Sequence, residues 1–286
     1  MKYNLINACC DLGVNVDGSN LSPSLITSKY KNKFNITTVN KLDIKKSYDV
    51  NDLEKNLKFV NEFNKRLYDN NLDILKNGEI PITIGGDHSV AIASALSSIK
   101  YNENLGIIWI DSHGDFNNFK TTTTGNLHGL PFASITNYPD TQKLTSFHDG
   151  NFYKFKNSVL VGARDIDDEE MINLKKAGIT IFTTDDIKNK GVDYVMDKAY
   201  EIASNGTNGI HISYDIDVID PEIAPGVSVK AINGINEDEA YNIMKYIKNR
   251  KDAIKSLDVV EYNPLEDINK VTLNISWNLL NIFFDE

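Results

Sequence analysis

The sequence predicts an α/β fold: one mostly parallel sheet of eight strands, layered between helices on both faces. Three features predict it. Short apolar runs rich in Val, Ile and Thr alternate with longer amphipathic stretches along the whole chain of 286 residues, which is the signature of β-α-β units. The run at 106–110, G-I-I-W-I, is apolar throughout and stops at Asp111, as a buried strand does. No repeat, low-complexity segment or Pro/Gly-rich linker divides the chain. A single domain over residues 1–286 is expected.

In chain order, a first strand is predicted at 3–9 and a second at 34–39, both of strand length and β-branched or apolar. The spacing over 51–77 predicts a long helix, followed by a strand at 81–84 and a helix at 89–100. After the strand at 106–110, residues 114–157 show no clear period and are rich in Thr, Asn, Gly and Pro, so a long loop is predicted there. A strand at 158–162, a helix at 168–177, a strand at 179–182 and a helix at 192–204 continue the alternation. Strands at 209–214 and 254–260 enclose a helix at 236–250, and a last helix lies near 268–282.

Composition narrows the function. Hydrophobic residues make up 41% and charged residues 24%, ordinary for a soluble globular protein. The net charge of −10 argues against a nucleic-acid partner and suits a small cationic substrate. No stretch approaches the apolar length of a membrane span, and the N-terminal residues show no signal-peptide pattern, so no membrane partner and a cytoplasmic location are expected. Cys9 and Cys10 are adjacent, a poor geometry for a disulfide, and read as two buried thiols in a reducing compartment.

In open α/β sheets ligands gather beyond the carboxyl ends of the strands. Five predicted strand ends carry carboxylates or imidazoles: G-G-D-H-S (85–89), D-S-H-G-D (111–115), G-A-R-D-I-D (162–167), D-I-D-V-I-D-P (215–221) and E-Y-N-P (261–264). If the chain stays extended past the strand, Asp111, His113 and Asp115 share a face, as do Asp215 and Asp217. With His88 they form a set of four carboxylates and two imidazoles. Oxygen-rich ligation with some imidazole suits Mn²⁺, with Zn²⁺ and Fe²⁺ left open. Six ligands exceed the need of one ion and suit a pair. A single Asp-x-His or Asp-x-Asp is usually a turn or a cap, and His148 and His211 are read in that plain way, as loop and packed side chains. Three separate clusters at strand ends favour a metal site.

G-G-D-H-S, D-S-H-G-D and S-Y-D-I-D-V-I-D-P (213–221) resemble the three signatures of the ureohydrolases, the family of arginase, agmatinase and formimidoylglutamase. The resemblance implies a three-layer arginase-like α/β/α fold, two Mn²⁺ per chain and a homo-oligomer, trimer or hexamer. His88, Asp111, Asp115 and Asp215 resemble the ligands of one manganese, and Asp111, His113, Asp215 and Asp217 those of the other. Asp220 and Pro221 match the turn that follows. Asp115, His128 and Glu261 match the catalytic positions: a proton acceptor, a proton relay to the leaving amine, and a carboxylate that holds the guanidinium.

The segment 115–131 is more like arginase than agmatinase. By that resemblance Asn117, Thr124 and Asn126 surround the substrate α-carboxylate and Asp167 contacts the α-ammonium. Against this, A-P-G-V-S-V-K (224–230) is closer to formimidoylglutamases, with Val229 in place of a threonine that would steady Glu261 and Lys230 in place of a proline. The expected reaction is urea release from arginine, with agmatine and then formimidoylglutamate as alternatives. Zinc deacetylases share the fold and hold one metal, but the presence of both His88 and Asp115 favours two. A non-catalytic binding protein would be expected to have lost a ligand, and none is lost.

Overall fold

The computed structural model describes residues 2–285. All eight predicted strands form, within a residue or two of the expected limits: β1 Tyr3–Ala8, β2 Asn35–Val39, β3 Ile80–Ile84, β4 Gly106–Ile110, β5 Ser158–Ala163, β6 Thr180–Thr183, β7 Ile210–Asp215 and β8 Ile254–Val260. They make one sheet in the order β2-β1-β3-β8-β7-β4-β5-β6, and every pairing is parallel.

The helices are α1 Ser22–Thr27, α2 Leu57–Lys76, α3 Ala91–Asn102, α4 Pro131–Ile135, α5 Asp168–Ala177, α6 Thr184–Lys190, α7 Val192–Ser204, α8 Glu237–Lys248 and α9 Val271–Phe284. Strand residues alternate between two cores, as the period of two requires. Leu5, Ile108, Ile110, Ile212, Tyr214 and Val259 face the core shared with α1, α6, α7, α8 and α9. Ile6, Ala8, Ile107, Trp109, Leu160 and Val260 face the core shared with α2, α3, α4 and α5. No described helix is long and apolar enough to cross a membrane.

Three expectations are corrected. The helix expected from residue 51 starts only at Leu57, because Asn56 has φ 62°, a left-handed conformation that a right-handed helix cannot pass through. The stretch 114–157 is packed rather than loose: it contains α4, and Phe116, Leu127, Leu130, Phe132, Leu144 and Tyr153 are buried in it. The short helices α1 and α6 lie where no helical period is legible. Cys9 and Cys10 fall just past β1, both free and buried.

Because all strands run the same way, their carboxyl ends lie along one edge. The four central strands, β3, β8, β7 and β4, carry three of the expected clusters and Glu261 to neighbouring positions on that edge.

Candidate active site

Each cluster is shaped by its own backbone. After β4, the Oδ1 of Asp111 accepts the backbone N–H of His113 at 2.7 Å. After β7, the Oδ1 of Asp215 accepts the N–H of Asp217 at the same distance. The two turns match, and each leaves the second carboxylate oxygen pointing inward. The chain does not remain extended as expected: Ile216–Val218 is a 3-10 turn, and Asp115 has φ 47°. That left-handed residue swings the Asp115 carboxylate back towards His88.

The side chains converge on two points. The Nδ1 of His88 lies 3.1 Å from Asp111 Oδ2, 3.0 Å from Asp115 Oδ2 and 3.0 Å from Asp215 Oδ2. The Nδ1 of His113 lies 3.0 Å from Asp217 Oδ2 and 3.5 Å from Asp111 Oδ1. His88, Asp111 and Asp215 form one group of a size to hold a cation, and Asp111, His113 and Asp217 form another, with Asp111 in both. Asp111, Asp215, Asp217 and Asp115 are 0%, 2%, 3% and 5% exposed. Burying four carboxylates together is costly unless positive charge offsets them.

The donor set tests the fit to metal. One ring nitrogen can donate one hydrogen bond, yet three carboxylate oxygens crowd His88 Nδ1, and neither that nitrogen nor Asp115 Oδ2 has a hydrogen-bond partner. A cation among them satisfies all four atoms at once. The other ring nitrogen of His88 lies 2.9 Å from Ser213 Oγ, a contact that orients the ring with Nδ1 inward. Trp109 stacks on the same imidazole at 4.2 Å and donates its indole N–H to Asp111 Oδ2 at 3.0 Å. Ser112 Oγ donates to Asp217 Oδ1 at 2.7 Å.

The electrostatics follow from crowding. Burial and the neighbouring Asp111 push the Asp115 carboxyl up to about 6. Burial, Asp217 and Asp111 push Asp215 well above the usual carboxylate range. Burial works against protonation of His88, but the surrounding carboxylates outweigh it and raise its pKa well above the ordinary histidine value.

Beside the cluster, Glu261 adopts φ 67°, and its Oε1 accepts the backbone N–H of His88 at 2.7 Å and lies 2.9 Å from His128 Nδ1. His128 is held by its own N–H to the carbonyl of Gly13 at 3.1 Å. Glu261 is therefore anchored without the threonine hydroxyl that Val229 lacks. A cavity of about 220 Å³ opens from His113, Asp115 and His128 and is walled by Asn117, Thr124, Asn126, Asp167 and Val229. Asn117 Nδ2 donates to Asp167 Oδ2 at 3.2 Å, so a donor group and a carboxylate stand side by side.

The family model described as "Arginase family" matches residues 1–283. The chain belongs to the arginase family. It is 32% identical to the arginase of Brevibacillus brevis over all of this chain and 98% of that protein. Its fold superimposes on the arginase of Bacillus cereus with a TM-score of 0.90 at 29% identity, covering 100% of this chain and 98% of that one. The Entamoeba histolytica arginase solved with L-ornithine gives a TM-score of 0.92 at 26% identity, covering all of both chains. This arginase-family chain is a ureohydrolase with the eight-stranded parallel sheet of its structural relatives.

Among the wall residues not expected from the sequence, Glu170 is the buried carboxylate. Glu170 lines the cavity, buried, its Oε1 accepting the N–H of Phe116 at 2.7 Å and its Oε2 that of Asp167 at 3.3 Å. Burial pushes its carboxyl up to about 8. The D-x-x-E spacing of 167–170 at a helix start was the available signal. The plain readings stand: His148 meets Tyr68 and the Asn151 carbonyl, His211 packs against Asp258 at 2.9 Å, and Asp220 ties its turn by accepting the N–H groups of Glu222 and Gly234.

Proposed function

We propose that this chain is a binuclear manganese ureohydrolase that releases urea from arginine. His88, Asp111, Asp115 and Asp215 would hold one ion, and Asp111, His113, Asp215 and Asp217 would hold the other. When bound, the ions supply the charge that balances the carboxylates and makes water acidic enough to act as a nucleophile near neutral pH. Asp115 takes up the proton that water gives. Glu261, fixed by the His88 N–H, holds the guanidinium through N–H···O contacts. His128, beside Glu261, passes a proton to the leaving amine.

The observation that carries the substrate is the cavity wall. Asn117, Thr124 and Asn126 offer amide and hydroxyl donors for a carboxylate, and Asp167 beside Asn117 offers an acceptor for an ammonium. A substrate carrying both groups on one carbon fits that pair. L-ornithine, held by the Entamoeba relative, carries both. A substrate without the carboxylate leaves the buried amide of Asn117 short of a partner, at about 1–3 kcal/mol, and gives the half-buried Asn126 and exposed Thr124 nothing to bind.

Urea release from arginine, agmatine and guanidinobutyrate, and formamide release from formimidoylglutamate, measured in Mn²⁺, test the reading. Arginine is expected to exceed agmatine in kcat/KM by about a hundredfold. Faster turnover of agmatine, with no response to Asn117→Ala, overturns the arginine assignment. Metal analysis of the Mn²⁺-reconstituted protein is expected to find two ions per chain, and full activity with one overturns the binuclear assignment.

A further inference from the structure

Two lysines are buried among the described residues, Lys46 and Lys55. Lys46 is paired with Asp17 at 3.0 Å. Lys55 is 3% exposed, makes no ion pair among the described residues, and its ammonium donates to the backbone carbonyl of Thr124. An ammonium taken from water without a carboxylate partner at contact distance leaves its desolvation largely uncompensated. Burial pulls its pKa below the usual lysine value, with Asp52 and Asp49 opposing.

The position of this cation explains the expense. Thr124 belongs to the loop Thr122–Asn126, whose residues Thr122, Thr124 and Asn126 line the cavity. The loop lies flush on the turn that carries Lys55. Gly125 has φ +65°, and a Cβ there would come within 2.7 Å of Leu53 Cα and 2.8 Å of the Asp52 carbonyl oxygen. Inside the loop, Thr122 Oγ1 accepts the N–H of Gly125 and Thr124 Oγ1 accepts the N–H of Asn126, each at 3.1 Å. Both hydroxyls thus accept from the loop itself and keep their protons for a ligand.

We infer that Lys55 is a positioning and specificity residue: it pins the Thr122–Asn126 loop through Thr124 and puts positive charge behind the donors that meet an anionic group of the substrate. The inference rests on the reading of the substrate as a guanidino amino acid. Lys55 does not touch the reacting atoms, and the guanidinium end of the substrate lies at the metal cluster. Loss of the ammonium therefore weakens binding of the carboxylate end and leaves the chemical step in place.

The test compares arginine with agmatine, which lacks the carboxylate, in the Mn²⁺-loaded wild type and in Lys55→Met. The expected result is a fall of about tenfold in the ratio of kcat/KM for arginine to that for agmatine, expressed in the KM for arginine rather than in kcat. Should Lys55→Met fail to fold, Lys55→Gln keeps a donor for the Thr124 carbonyl without the charge, and its ratio decides. An unchanged ratio, or equal losses on both substrates, shows a purely structural lysine and overturns the inference while the arginine assignment stands. A wild type that shows no preference for arginine overturns both.

Discussion

At the scale of single residues, the site depends on side chains held from two directions. His128 shows this best: its backbone N–H is fixed to Gly13 and its ring to Glu261, so the imidazole is oriented before any substrate arrives. Glu261 is in turn fixed by His88, which ties the proposed proton relay to the candidate ligand cluster without making His128 part of it. His128→Asn is expected to lower kcat by about a hundredfold or more, with bound manganese unchanged by metal analysis. Added imidazole should restore part of the rate. An unchanged kcat would take His128 out of the mechanism. The one-letter spacing of 85–89, 111–115 and 215–217 was enough to nominate all six clustered side chains. Glu170 escaped because a buried glutamate at a helix start has the same sequence as an exposed cap.

At the scale of elements, His88 and Glu261 stand together because three chain segments meet at Gly86. Its N–H goes to the Ala8 carbonyl at 3.1 Å, its carbonyl accepts from Glu261 at 2.9 Å, and the neighbouring Asp87 N–H goes to the Cys10 carbonyl at 3.0 Å. A Cβ at Gly86 would lie 1.7 Å from the Cys10 carbonyl oxygen, a backbone atom that no rotamer can move. Gly86→Ala is therefore expected to destabilise the fold by roughly 2 kcal/mol or more and to displace His88 and Glu261 together. Urea denaturation should show a lower midpoint with the same slope, accompanied by weaker manganese binding. Wild-type stability in this variant would contradict the close approach. Strand positions were legible in the sequence because a strand's side-chain period is local. The start of α2 was not, since the left-handed turn at Asn56 is set by contacts such as its bonds to Ser47.

At the scale of the whole molecule, four buried carboxylates on the edge of one sheet make stability depend on what lies between them. A cation that binds only the folded chain stabilises it by about 2.7 kcal/mol at a hundred times its Kd. Saturating Mn²⁺ is expected to raise the Tm by roughly 5 °C or more, read by calorimetry with no substrate present. Asp111→Asn, which alters a carboxylate common to both candidate groups, should lose most of that rise. An equal rise in the variant would place the stabilising ion elsewhere.

Local pattern was sufficient for the eight strands, for the main helices α3, α5, α7, α8 and α9, and for the chemistry waiting at the strand ends. Those features depend on residue spacing within a few positions, and spacing is what a linear chain displays. The order of strands is different. β8 is the last strand in the chain and yet lies between β3 and β7. Parallel neighbours are joined by crossovers, so adjacency cannot be read from succession. That placement brings Glu261 to His88 across 173 positions. The same holds for Lys55 under Thr124, and for the Asp258 carboxylate that meets His211. Each joins residues far apart in the chain, and what the pairing means comes from burial beside each other in a medium where unpaired polar groups are costly.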